Sequence, residues 1–325
     1  MTTHAPVDRT ETFADLFNAI CDNVETAIRG KRDVVHLATA CLIADGHLLL
    51  EDAPGVGKTS LAKALALSVN CTFGRVQFTP DLLPADVVGM TVWNRGTGGF
   101  DFRPGPIFSN IVLADEINRA SPKTQSALLE AMGERQVTVD GVTHPLASPF
   151  LVIATQNPIE HEGTYPLPES QLDRFLMKIT MGYPSRAAEL EILEQHGAAD
   201  PLSKIAPVVD ASDVLGMAMA AQAIHVAPTL RGYIIDIAEA TRRHPGLLLG
   251  MSPRAVLALQ RVARVQAASL MRTYVTPDDI KALAKPVLAH RLLVTPEAQL
   301  QGITASQVLD QILDAIPVPT GPGGV

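Results

Sequence analysis

His47-Leu48-Leu49-Leu50-Glu51-Asp52-Ala53-Pro54-Gly55-Val56-Gly57-Lys58-Thr59 is a short apolar run of buried-strand length that leads directly into a glycine-rich turn. From Lys58 to Val69 the pattern becomes helical, with Leu61, Leu65 and Val69 recurring every four residues on one face. A strand, a glycine-rich loop and a helix in that order make an anion cup, because backbone N–H groups at a helix N-terminus converge on the same point. The general pattern is G-x-x-x-x-G-K-[ST]; its last three positions are Gly57-Lys58-Thr59, whereas its first is Asp52, a departure. This spacing predicts a nucleotide-phosphate site built by Pro54, Gly55, Val56, Gly57, Lys58, Thr59 and Ser60. Gly55 and Gly57 allow close backbone approach, Lys58 reaches the β- and γ-phosphates, and the Thr59 hydroxyl binds Mg²⁺.

Four further apolar runs fit the same sheet: Arg75 to Phe78, Ile111 to Ala114, Phe150 to Ala154 and Leu176 to Thr180. Helical patterns separate most of them, among them one opened by Ser121-Pro122. Alternation of this kind predicts a three-layer α/β domain. The run at Ile111 ends in Asp115-Glu116, where Asp115 can hold Mg²⁺ through its water shell and Glu116 can polarise an attacking water. An acidic pair at a strand end is otherwise a common solvated turn. The run at Phe150 ends in Thr155-Gln156-Asn157-Pro158, and a neutral amide there can hydrogen-bond a γ-phosphate or the lytic water. Taken alone, Asn157 reads equally well as a turn-forming residue before proline. The functional alternative gains weight because three strand ends with phosphate-relevant groups would converge where α/β sheets bind ligands.

Working outward, Thr12 to Ala27 and Asp33 to Ala44 have helical spacing. Val88 to Phe108 reads as an inserted hairpin or loop, and Gln136 to Leu146, centred on Asp140-Gly141, as a β-hairpin. After Met181 the composition turns Ala- and Leu-rich with few strand signals, and Thr276-Pro277 is a strong helix start. The expected organisation is a disordered 1–11, an α/β nucleotide-binding core over 12–183, an all-α domain over 184–316 and a flexible tail over 317–325.

Composition narrows the function. The chain of 325 residues carries 34 acidic against 26 basic side chains, a net charge of -8, which argues against a dedicated nucleic-acid binder. Three scattered cysteines, Cys21, Cys41 and Cys71, have neither zinc nor disulfide spacing and suit a reducing cytoplasm. The histidines, including His161 and His244, show no metal-ligand spacing. No apolar run approaches the roughly 18 residues that a membrane span needs, so a cytoplasmic protein without membrane insertion is expected.

From about residue 12 to about residue 293 the chain resembles the MoxR group of AAA+ ATPases. The stretches that carry the resemblance are Glu51 to Thr59, Gln77 to Gly89, Phe102 to Phe108, Leu113 to Ala120, Ala154 to Ile159, Leu167 to Phe175 and Met251 to Ala255. Asp52 is ordinary for that group. The resemblance implies a parallel five-stranded core, a small helical lid and a homo-oligomeric, usually hexameric, ring. It implies that Arg174 is an arginine finger acting on the neighbouring subunit and that Arg254 is the lid residue that senses the γ-phosphate. It further implies ATP hydrolysis with Mg²⁺, coupled to chaperone-like remodelling of a client together with a von Willebrand factor A domain protein. Two rivals share the core motifs. One is a magnesium-chelatase-type motor subunit for metal insertion. The other is a nucleic-acid motor using the two inserts, which offer only Arg95, Arg103 and His144 as cationic candidates.

Overall fold

The computed structural model describes residues 9–158, 163–184, 186–187, 189–190 and 201–319. Its first part contains nine strands: β1 (Leu48–Glu51), β2 (Phe73–Gln77), β3 (Gly89–Asn94), β4 (Gly99–Pro104), β5 (Ile111–Asp115), β6 (Gln136–Val139), β7 (Val142–Pro145), β8 (Leu151–Gln156) and β9 (Met177–Ile179). Five of them form one parallel sheet in the order β2-β5-β8-β1-β9. Parallel pairing brings all the carboxyl ends to one edge: Gln77 lies opposite Asp115, and Glu51 opposite Gln156.

Both sheet faces are buried, which is why the central strands read as continuous apolar runs. Period-two alternation divides their side chains between two layers. Leu48, Leu50, Leu113 and Ile153 pack with helices α1 (Arg9–Glu25), α2 (Arg32–Ile43) and α3 (Lys58–Ser68). Leu49, Val112, Ala114, Val152 and Ala154 pack on the other face, where α4 (Pro84–Val88) and α5 (Pro122–Glu134) supply Val87, Leu128, Leu129 and Met132. The two inserts form separate antiparallel hairpins, β3 with β4 and β6 with β7. A short α6 (Glu169–Leu172) then precedes β9.

The second part carries α7 (Ala211–Gln222), α8 (Pro228–Arg243), α9 (Pro253–Ser269), α10 (Pro277–Leu288), α11 (Pro296–Leu300) and α12 (Ala305–Ala315). Four helices among the described residues start by one device, a Ser or Thr N-cap followed by Pro at the first helical position. Ser121, Ser252, Thr276 and Thr295 each accept a hydrogen bond from an N–H of the first turn, and Pro has no N–H to leave unsatisfied. Buried faces of α8, α9, α10 and α12 join the same apolar cluster as α1 to α3, so lid and core share one hydrophobic layer.

Two details differ from the sequence-based expectation. The helix expected from Thr12 reaches back to Arg9, since no Gly or Pro in Arg9-Thr10-Glu11 stops it, and the segment 1–11 is therefore helical at its end. Residues 1–8, and those of the expected tail from 320 on, lie outside the described residues, as does His161. The second part is not wholly helical: β10 (Leu247–Leu249) pairs antiparallel with β11 (Leu293–Val294), a ladder too short to show a period in sequence. No helix among the described residues is long and apolar enough to cross a membrane.

Two buried imidazoles give the fold a pH dependence. His47 bonds Met132 O through Nε2 and accepts from Val152 N at Nδ1, while His290 bonds Phe175 O. Burial, with smaller contributions from nearby guanidinium groups, pushes both down to about 3. The unfolded chain titrates them near the ordinary value of about 6.5, so below that pH it binds protons that the folded chain refuses. Stability is therefore expected to fall as pH drops from about 6.5 towards 3, by up to about 1.4 kcal/mol per pH unit for each histidine. Urea midpoints at pH 7 and pH 5 check this, the second being lower, with His290→Gln narrowing the gap. Equal midpoints would contradict it.

Candidate functional site

The glycine-rich loop leaves β1 at the carboxyl edge and turns into α3. Gly55 and Gly57 have φ of +82° and +97°, in the left-handed region where a side chain is strained. Gly57 is the N-cap of α3 and has no side chain to occupy the first-turn N–H groups, which leaves them free to bind an anion. Lys58 Nζ donates to Asp52 O at 2.8 Å, holding the cation across the loop.

Asp52, the departure from the general pattern, has a structural use here. Its Oδ1 accepts from Ala53 N at 3.0 Å and its Oδ2 from Gly182 N at 2.6 Å. The carboxylate thereby fastens the loop to the segment that follows β9 and leads towards the lid. A glycine at that position would leave both N–H groups without this acceptor.

On the adjacent strands, Asp115 ends β5 and Glu116 follows it in the left-handed region at φ +56°, a conformation that turns its side chain away from the strand direction. Thr155 of β8 joins the two: its hydroxyl donates to Asp115 Oδ1 at 2.7 Å and accepts from Glu116 N at 2.8 Å. Arg75 donates to Asp115 Oδ2 at 2.7 Å from the edge strand β2. The Glu116 carboxylate accepts from Gln77 Nε2 at 2.9 Å and from Arg119 Nη1 at 3.1 Å. Asn157 is buried two residues beyond Thr155, next to the loop, because Asp52 N donates to Gln156 O. Lys58, Thr59, Asp115, Glu116 and Asn157 are thus gathered at the carboxyl ends of three neighbouring strands, β5, β8 and β1.

Arg174 and Arg254 are elsewhere. They line a common cleft of about 690 Å³ together with Asp45, Gly46 and His47, which precede β1, and Leu176, which precedes β9. The cleft therefore lies at the amino edge of the sheet, separated from the glycine-rich loop by the length of β1, about 13 Å for four residues. Arg174 Nη1 donates to Leu129 O of α5 at 2.6 Å, and Arg254 is exposed in the first turn of α9. Arg261, Arg264 and Arg291 line the same cleft, which makes it strongly cationic.

Several groups in this arrangement were not singled out by the sequence reading. Thr155 sits inside the stretch that drew attention to Asn157, yet a threonine in an apolar run carries no sign that it faces two carboxyl-bearing residues. Arg75 and Gln77 act across a strand pairing that only the sheet order reveals. Asp173 and Ser252, which meet each other, are 79 residues apart.

The sequence profile of the ATPase family associated with various cellular activities (AAA) matches residues 47–177, and that of the AAA lid domain matches residues 239–312. Chaperone MoxR1 of Mycobacterium tuberculosis is 42% identical over 91% of this chain and 80% of its own length. Protein MoxR of Methylorubrum extorquens is 30% identical over 91% of this chain and 93% of its own. An uncharacterised protein of Bacillus subtilis, YeaC, is 50% identical over 95% and 97%. A crystal structure from Cytophaga hutchinsonii, provisionally described as an ATPase, superposes with a TM-score of 0.90 at 39% identity, covering 96% of this chain and 97% of that one.

Proposed function

Because the chain belongs to the MoxR family of AAA+ ATPases, we propose that it hydrolyses ATP to ADP and phosphate and uses the reaction to remodel or mature a partner protein complex. The observation that carries this reading is the convergence of Lys58, of Asp115 with Glu116, and of Asn157 at the carboxyl ends of three adjacent parallel strands. The first-turn N–H groups of α3 cradle the phosphates, and Lys58 exchanges its bond to Asp52 O for phosphate oxygens. Glu116, oriented by Gln77 and Arg119, takes the proton of the attacking water. Asn157 donates its amide to the γ-phosphate or to that water. Thr59 and Asp115 offer only hard oxygen donors, a set that fits Mg²⁺, and the ion when bound neutralises charge on the phosphates.

Arg174 and Arg254 serve the nucleotide of a neighbouring subunit in this reading, since both line a cleft at the opposite edge from their own glycine-rich loop. A closed ring, hexameric as in the resembled family, supplies each site with its second half. The client and a von Willebrand factor A domain protein are separate chains, and the setting is cytoplasmic, in keeping with three unpaired thiols. Kinship with MoxR proteins favours this assignment over a chelatase-type motor. A nucleic-acid motor is further disfavoured because His144, one of three cationic candidates on the hairpins, is stacked on Phe102.

Calorimetric titration of Lys58→Ala with ATP tests the site. Loss of measurable binding is expected, because the substitution removes the loop's cation. Affinity equal to wild type would refute the assignment.

A further inference from the structure

Arg174 stands between two residues that the lid holds. On one side, Ser252 Oγ lies 3.1 and 3.2 Å from the two carboxylate oxygens of Asp173, to which it donates. On the other, Phe175 O accepts from Arg291 Nη2 at 2.6 Å and from His290 Nε2 at 3.2 Å. Arg291 is buried, and its Nη1 lies 3.4 Å from Asp173 Oδ1. Ser252 in turn caps α9, accepting from Ala255 N, and Arg254 sits in the first turn of that helix. Two guanidinium groups are therefore tied to a single carboxylate, Arg174 as its chain neighbour in the core and Arg254 through the lid helix that Ser252 caps.

We infer that Asp173 is a positioning residue that clasps the lid to the core loop, so that Arg174 and Arg254 are presented to the neighbouring subunit's nucleotide as one rigid unit. This rests on the reading that both arginines act across the subunit boundary. The geometry gives the clasp a reason. A lid that moved without the core loop would carry Arg254 away from Arg174, and both groups need to meet one phosphoryl centre. Misplacement by about 1 Å costs a catalytic group roughly 100-fold. Asp173 also supplies the carboxylate nearest to the buried Arg291, whose guanidinium burial pushes down to about 10. Removing Asp173 outright would thus leave a buried cation poorly compensated, and a loss of activity could then reflect unfolding.

Ser252→Gly avoids that difficulty. Glycine is an acceptable N-cap that weakens a helix start little relative to serine, so α9 and the Asp173–Arg291 pair persist while the hydroxyl bridge is lost. The expected result is a kcat lowered about 10- to 100-fold, with ATP affinity within twofold of wild type and an unfolding midpoint close to it. Ser252→Thr keeps the hydroxyl and is expected to stay within threefold of wild-type kcat. Because the defect lies in what the subunit offers its neighbour, mixing Ser252→Gly with excess Lys58→Ala is expected to restore turnover at the intact glycine-rich loops. A kcat within threefold of wild type for Ser252→Gly overturns the inference, as does a parallel loss of its ATP affinity or a Ser252→Thr variant equally impaired. Failure of the mixture to recover, where Arg174→Ala mixed in the same way does recover, also overturns it. If neither mixture recovers, the subunit-boundary reading itself has failed and the inference falls with it.

Discussion

A Glu116→Gln chain is expected to bind ATP as tightly as wild type and to turn it over at least about 100-fold more slowly. Glutamine matches glutamate in size, and its amide can still meet Gln77 and Arg119, which hold the carboxylate now. It cannot take a proton from water. The neighbouring groups stay as they are, because Thr155 contacts Glu116 through the backbone N–H, which the substitution leaves intact. Binding and turnover should therefore separate, the first read by calorimetry and the second by phosphate release. Turnover close to wild type would remove Glu116 from the reaction. A trapped ATP-bound form also gives a means of capturing bound partner proteins by affinity purification.

Arg174→Ala is expected to be the more severe lesion, lowering turnover by about 10³ to 10⁵ while ATP affinity stays unchanged. An arginine finger stabilises charge that develops only as the phosphoryl group transfers, so its loss spares ground-state binding. Affinity is further protected by position, because Arg174 lies at the amino edge of the sheet and the glycine-rich loop at the carboxyl edge. Its bond to Leu129 O closes no part of the nucleotide site. A loss of affinity in step with turnover would mean that Arg174 supports its own subunit's loop, against the arrangement described here.

Much of this site was legible in sequence because each half carries its own local signature. Gly57-Lys58-Thr59 after Leu48-Leu49-Leu50 specifies a strand, a turn and a helix start without reference to anything distant, and the structure has all three. The three central strands β1, β5 and β8 were equally plain, since parallel strands buried on both faces leave uninterrupted apolar runs, whereas the edge strands β2 and β9 carry Arg75, Gln77 and Lys178 within shorter apolar stretches. What the pattern could not give was the order of those strands. Thr155 became a connector of Asp115 and Glu116 only once β8 was known to lie beside β5. Arg75 and Gln77 likewise face the acidic pair only because β2 pairs with β5 in a register that sets Gln77 against Asp115. The separation of Arg174 from its own loop follows from β9 running parallel to β1, which sets its preceding residues at the amino edge. The Asp173–Ser252 contact joins core to lid across 79 positions, a distance over which no periodicity carries information.

Completion of each ATP site by a neighbouring subunit is the proposal on which the roles of Arg174 and Arg254 depend. Mixing two inactive proteins tests it most directly. Arg174→Ala retains its glycine-rich loop, and Lys58→Ala retains its Arg174. Phosphate release measured across mixing ratios, with subunit exchange followed in parallel by energy transfer between labelled chains, is expected to rise from near zero in either protein alone to a maximum in the mixture. If the subunits exchange and the mixture remains as inactive as its components, Arg174 acts within its own chain and the shared site is wrong.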